Sequence, residues 1–280
     1  MTEKLGSICG EHIRVLEQMV PVDVFVKLRT VSFYSPANNS NPPVIFLGGL
    51  STVVESFTSI IRDLTKDFNF HAVETRDHAS SQLGENQKFD METMGRDLGE
   101  VVKFLNLTNH QFILLGYSLG VAVIVEALRF MTIKPLKMIF LEPTPVFHYP
   151  SWSIPVIKLS LLLKTKRLRF IAKWYINNFV IDKKADAEMA EISSNAIDNA
   201  DTQKLKRVIL AIAGYEIWEK IEHIDCPVLI ISASKDKMHR NDDILRLNSL
   251  ITDCNIIDLE TNKRSHSMEA SQIIRNFILT

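Results

Sequence analysis

Short, wholly apolar runs recur along the chain, separated by stretches with helical spacing. Residues 44–47, 70–74, 112–115, 137–141, 228–232 and 255–259 read as strands, several of them apolar on both faces as in a buried parallel sheet. Residues 22–34, rich in Val and Phe, predict one or two edge strands, and the polar tract 37–43 a loop. Between the strands, residues 91–105, 119–130, 242–250 and 267–279 carry apolar positions at helical intervals. Thr52 and Glu55 have capping-box spacing, which predicts a helix running on towards Thr65. Strands alternating with helices predict an α/β fold, with a mostly parallel sheet and right-handed crossovers.

One stretch breaks the alternation. Between the strands ending near Leu141 and starting near Val228 there is no clear strand, and the distance is too great for a loop. It reads as a helical cap, residues 149–213, inserted into a core made of residues 1–148 and 214–280, with a helix near 215–222 rejoining that core. The chain has no internal repeat and no low-complexity tract.

Composition narrows the class. Of 280 residues, 46% are hydrophobic and 23% charged, which excludes a disordered or fibrous chain. Lys plus Arg number 32 and Asp plus Glu 33, a net charge of -1, so no electrostatic case exists for a nucleic-acid partner. The three cysteines, Cys9, Cys226 and Cys254, form no CxxC pair, so neither a disulfide framework nor a metal site is expected. Sparse cysteines and a start without a basic-then-apolar leader predict a reduced, cytoplasmic protein. No run approaches the roughly 18 apolar residues of a membrane span.

The sharpest signal is Gly116-Tyr117-Ser118-Leu119-Gly120, set between the apolar run 112–115 and the helical run 121–130. G-x-S-x-G between strand and helix is the pattern of a nucleophile elbow. The chain must reverse within one residue, which strains Ser118 and leaves no room for side chains at Gly116 and Gly120. Ser118 then stands at a helix N-terminus, where backbone N–H groups favour developing negative charge.

On these motifs, from about Val22 to Thr280, the chain resembles the α/β-hydrolase superfamily. The resemblance implies an eight-stranded sheet, a cap over the active site, and a triad in the order Ser, acid, His. The acid is expected in the turn after the strand 228–232, at Asp236; Glu142, after the strand 137–141, is the rival. Asp242 and Asp243 read instead as charges at a helix start. The base is expected after the last strand, at His266. Ser118 would attack, His266 would relay the proton, and the acid would orient the imidazole. The resemblance gives the oxyanion donors as the amides of Leu119 and Leu50, with Gly49 the alternative to Leu50. It requires no cofactor.

Two departures stand out. Relatives often carry His-Gly where this chain has Gly48-Gly49. Their Gly-rich turn from Asp to Ser is replaced by residues 74–81, which contain no glycine. Arg76 or His78 could face the substrate entrance there, or the turn could bond to itself.

Residues 152–181 contain no Asp or Glu but carry Lys158, Lys164, Lys166, Arg167, Arg169 and Lys173 among apolar residues such as Leu161, Leu162, Phe170 and Trp174. Three readings stay open: a cap packed on the core, an acyl-chain roof or surface for an anionic membrane, and an attractor of anionic substrate. The leading function is cleavage of a carboxylic ester or thioester with an apolar acyl part. Carbon–carbon cleavage or acyl transfer by the same triad, and a ligand-binding protein of weak turnover, are the alternatives. Epoxide or halide hydrolysis of the family's usual kind is disfavoured, because those relatives use Asp where this chain has Ser118. Sequence gives no handle on oligomeric state.

Overall fold

A computed structural model describes residues 9, 12–36, 40–162, 194, 200–235 and 240–280. Among the described residues, nine strands form one sheet: β1 (Arg14–Asp23), β2 (Val26–Tyr34), β3 (Val44–Leu47), β4 (Phe70–Val73), β5 (Gln82–Leu83), β6 (Ile113–Tyr117), β7 (Lys137–Leu141), β8 (Val228–Ser232) and β9 (Cys254–Asp258). Their order is β1-β2-β4-β3-β6-β7-β8-β9, with the two-residue β5 pairing β2 at the side. β1–β2 and β2–β4 are antiparallel, and every pair from β4 to β9 is parallel. The expected mostly parallel α/β sheet is therefore present.

Alternation along the central strands feeds two cores. Ile45, Leu47, Leu114, Met138, Phe140, Val228 and Ile230 face one side, against α2 (Met91–Phe104), α3 (Leu119–Ala127) and α6 (Asn241–Leu250). Phe46, Phe70, Leu115, Ile139, Leu229 and Ile231 face the other, against α1 (Thr58–Leu64) and α8 (Met268–Leu279). Every residue of α3 is buried, which explains why it carries no polar side chain but Glu126, itself paired with Arg129 and Tyr215.

Two local expectations change. The edge strand 22–34 is a hairpin that begins at Arg14 and turns at Val24-Phe25, with Phe25 at φ 63°. The capping box does not form: residues 54–57 make a 3-10 turn before α1, and Val53 caps it without a side-chain bond. Thr52 is instead drawn into the turn after β3, where its amide donates to the Gly49 carbonyl at 3.0 Å.

The excursion between β7 and β8 has a tight base. Phe147 N–H donates to Tyr215 O at 3.1 Å, Gly214 N–H to Phe147 O at 3.0 Å, and Ile217 N–H to Pro145 O at 3.1 Å. The chain thus leaves and re-enters the core side by side. Within the excursion, α4 (Ser153–Leu162) and α5 (Thr202–Ile212) pack on each other, and Lys206 Nζ donates to Ser160 O at 3.0 Å. Trp152, Val156 and Leu159 are exposed. Asp236, and Phe170 and Trp174 of the expected cap, lie outside the described residues. Among the described residues no helix is long and apolar enough to cross a membrane.

Candidate active site

Ser118 ends β6 and opens α3 at φ 50°, ψ -111°, a left-handed conformation that costs an L-residue energy and persists only where packing dictates it. The packing is visible at the flanking glycines. A Cβ on Gly116 would lie 2.7 Å from Val121 N, and one on Gly120 would lie 2.2 Å from Leu47 O. The elbow is thus pressed directly against the end of β3. Ser118 N–H donates to Leu141 O at 3.1 Å, and its Oγ lies 3.0 Å from Thr144 Oγ1.

Leu119 begins α3, so its amide has no acceptor one helical turn back. Leu50 lies in the turn after β3, partly buried against the core. The next residue, Ser51, has φ 52°, and its amide donates to Asp77 Oδ2 at 2.5 Å.

His266 follows the one-turn helix α7 (Asn262–Ser265) and is buried. Its ring is wedged between aromatic neighbours, 5.0 Å from Tyr117 and 5.2 Å from Phe57 between centroids. Tyr117 immediately precedes Ser118, so the imidazole sits against the elbow. Nδ1 donates to the Asn262 carbonyl at 2.9 Å. In neutral imidazole that bond leaves the lone pair on Nε2. Nε2 is buried and has no hydrogen-bond partner among the described residues.

Glu142 is fully buried at the end of β7, at φ 45°. Its Oε1 lies 3.9 Å from His266 Nδ1 and accepts the Ser265 hydroxyl. The Asn262 amide, with its nitrogen turned to Glu142, donates to both oxygens at 2.5 and 2.7 Å. A buried carboxylate is thereby satisfied beside the imidazole Nδ1.

The turn 74–81 bonds to itself and to the core, which decides its reading. Arg76 is fully buried and bidentate to Asp97, at 2.5 and 2.8 Å, with Asp23 at 3.2 Å. Glu74 accepts from Arg29 at 2.8 Å. A cavity of about 960 Å³ lined by Arg76, Asp97, Glu126 and Tyr215 includes neither Ser118 nor His266. Among the described residues no cluster of His, Cys, Asp and Glu could hold a metal ion.

The structure thus brings Ser118, Tyr117, His266 and Glu142 to the carboxyl ends of β6, β7 and the segment after β9, while Asp236 lies outside the described residues. Sequence reasoning passed over Thr144. A hydroxyl in the Glu-Pro-Thr-Pro turn after β7, beside the nucleophile strand, was the available signal.

The chain is an α/β-hydrolase-fold protein. Residues 42–179 match the family model for the alpha/beta hydrolase fold. No curated protein matches the chain. Among solved structures, an esterase from Exiguobacterium antarcticum is similar at TM-score 0.75 and 16% identity, over 95% of this chain and 100% of that one. A thermophilic esterase from Thermogutta terrifontis is similar at TM-score 0.74 and 15% identity, over 95% and 98%. A bromoperoxidase from Bacillus anthracis reaches TM-score 0.74 and 14% identity, over 95% and 100%. At these identities the likeness establishes the fold; a shared fold hosts several chemistries.

Proposed function

We propose that the protein is a serine hydrolase that cleaves a carboxylic ester or thioester through an acyl-enzyme on Ser118. The observation that carries this is the strained serine at φ 50° between β6 and α3, held by glycines with no room for a side chain. Such strain at the carboxyl end of a central strand is the geometry a nucleophile elbow requires.

In this reading His266 Nε2 takes the Ser118 proton during attack on the carbonyl carbon. The amides of Leu119 and Leu50, with Gly49 the alternative to Leu50, receive the developing oxyanion, each worth about 3 kcal/mol in such sites. The imidazolium returns its proton to the leaving alcohol or thiol, and water then repeats the sequence on the acyl-enzyme. The acid is Asp236, which follows β8 in the sequence. A second reading has one specific support: Glu142, 3.9 Å from Nδ1, is itself the acid. The Asn262 carbonyl already selects the tautomer, so the carboxylate's remaining task is to stabilise the imidazolium.

Residues 149–213 form the cap over this site, a boundary supported by the backbone bonds that join the exit at 145–147 to the re-entry at 214–217. Its apolar residues, Leu161 and Leu162 with Phe170 and Trp174, favour an apolar acyl group. The reduced cysteine set supports a cytoplasmic setting. A fluorophosphonate should label wild-type protein once, at Ser118, and Ser118→Ala should abolish both labelling and hydrolysis of p-nitrophenyl esters and acyl thioesters. Undiminished hydrolysis by Ser118→Ala would overturn the assignment. Product analysis separates hydrolysis from acyl transfer and carbon–carbon cleavage.

A further inference from the structure

The turn that presents Leu50 carries one backbone bond of its own, from Thr52 N–H to the Gly49 carbonyl at 3.0 Å, but that bond leaves Ser51 in a strained conformation. Gly48 and Gly49 offer no side chain, and Ser51 adopts φ 52° without being glycine. Such a residue needs an outside restraint. Two buried residues from the turn after β4 supply it. Asp77 Oδ2 accepts the Ser51 amide at 2.5 Å and lies 3.2 Å from the Ser51 hydroxyl. One residue on, His78 Nε2 donates to the Thr52 carbonyl at 3.0 Å. The turn is gripped by one backbone donor and one backbone acceptor of the adjacent residues Ser51 and Thr52.

The grip is itself braced. Thr75 Oγ1 donates to Asp77 Oδ1 at 2.5 Å, and His78 Nδ1 lies 3.2 Å from Thr75 O and 3.6 Å from Asp77 Oδ1. With carbonyls facing both ring nitrogens, both must carry protons, so His78 is an imidazolium paired with the Asp77 carboxylate. Burial opposes each charge; the mutual attraction outweighs it, holding Asp77 down at about 2 and His78 up at about 9. Lys204 of α5 donates to the carbonyls of His78, Ala79 and Ser81 at 3.0, 3.4 and 2.6 Å, tying the excursion to the same turn.

We propose that Asp77 and His78 are positioning residues for the oxyanion hole: their buried ion pair grips the 49–52 turn by the Ser51 amide and the Thr52 carbonyl and so fixes where the Leu50 N–H points. The arrangement stands where this chain departs from its relatives, which often carry histidine at position 48 and glycines in the following turn. The inference rests on the proposed role of Leu50 in an acyl-transfer site. An oxyanion exists only in the transition state and the tetrahedral intermediate, so a misaimed donor lowers kcat and leaves KM nearly unchanged.

The test uses the full-length protein, a p-nitrophenyl ester that wild type turns over, and a trifluoromethyl ketone whose hemiketal oxygen occupies the hole. Asp77→Ala should lower kcat by about 10- to 100-fold, a fraction of the loss on deleting a donor outright, with KM within about threefold. Ketone inhibition should weaken in proportion, and Asp77→Asn, which keeps an acceptor for Ser51, should recover most of both. If Asp77→Ala does not fold, His78→Gln reports instead: its amide still donates to Thr52 O, so a modest kcat loss with unchanged KM supports the grip. A folded Asp77→Ala with wild-type kcat and ketone affinity overturns the proposal, as does a loss confined to KM. Fluorophosphonate labelling of wild-type Ser118 in the same experiment keeps the outcomes apart. An unlabelled wild type overturns the nucleophile and this proposal together; a labelled wild type with an unmoved Asp77→Ala overturns this proposal alone.

Discussion

Glu142 and His266 meet across the site at 3.9 Å, one fully buried at the end of β7, the other locked between Tyr117 and Phe57. The separation is too long for a hydrogen bond, because the Nδ1 N–H donates to the Asn262 carbonyl instead. With Asp236 as the acid, Asp236→Asn should lower kcat by about 10⁴, the effect of the same change in a serine protease triad, and Glu142→Gln by far less. Steady-state kinetics on both variants checks the ranking. The reverse order assigns the acid to Glu142.

Two glycines with opposite surroundings test the account of the elbow. Gly120→Ala drives a methyl group against Leu47 O at 2.2 Å and Gly48 O at 2.8 Å, so the backbone of β3 must move. The variant should lose about 2–4 kcal/mol in urea denaturation, along with its activity. Gly99, inside α2, has only the Met131 side chain near, at 3.8 Å. Gly99→Ala should therefore gain about 0.5–1 kcal/mol, the ordinary helix benefit, with activity retained.

The Asp77–His78 pair makes stability depend on pH in a defined window. His78 is raised from 6.5 to about 9 in the folded protein: burial would lower it, but Asp77, with help from Glu74, outweighs burial. Its contribution is complete below pH 6.5 and is lost as pH rises through about 9. Tm should therefore fall across that interval, and fall less steeply in His78→Gln. Asp77 is depressed from 3.8 to about 2, so its contribution is lost only as pH falls through that lower range. Equal slopes for wild type and His78→Gln between pH 6.5 and 9 would contradict the charged pair.

An apolar roof predicts a chain-length effect. Each buried methylene is worth about 0.8 kcal/mol, so kcat/KM should rise up to about tenfold for two added carbons until the pocket ends. A graded series of p-nitrophenyl esters from acetyl to decanoyl measures this. A strict acetyl preference, or no trend, counts against the roof and leaves the cap a structural lid.

The strands of the central sheet were legible because each is a short apolar run whose burial on both faces leaves no other use for it. Ser118 was legible for a local reason too: a reversal from strand to helix in one residue demands small neighbours, and Gly116 and Gly120 stand at the needed spacing. The choice of His266 followed from its place after the last strand together with the triad order that the family resemblance implies. The edge hairpin was only half legible, because β1 is half-buried along much of its length and carries a weak alternation. The capping box at Thr52 failed because a local rule competed with a distant partner: His78 holds the Thr52 carbonyl across 26 residues of chain. The same distance separates Ser51 from Asp77, and 123 residues separate Glu142 from Ser265. Sequence spacing carries information about neighbours along one helix or strand, where geometry is fixed by φ and ψ. Which carboxylate lies beside an imidazole, or which turn holds an amide in place, depends on crossovers that bring remote segments together, and only the folded sheet decides that.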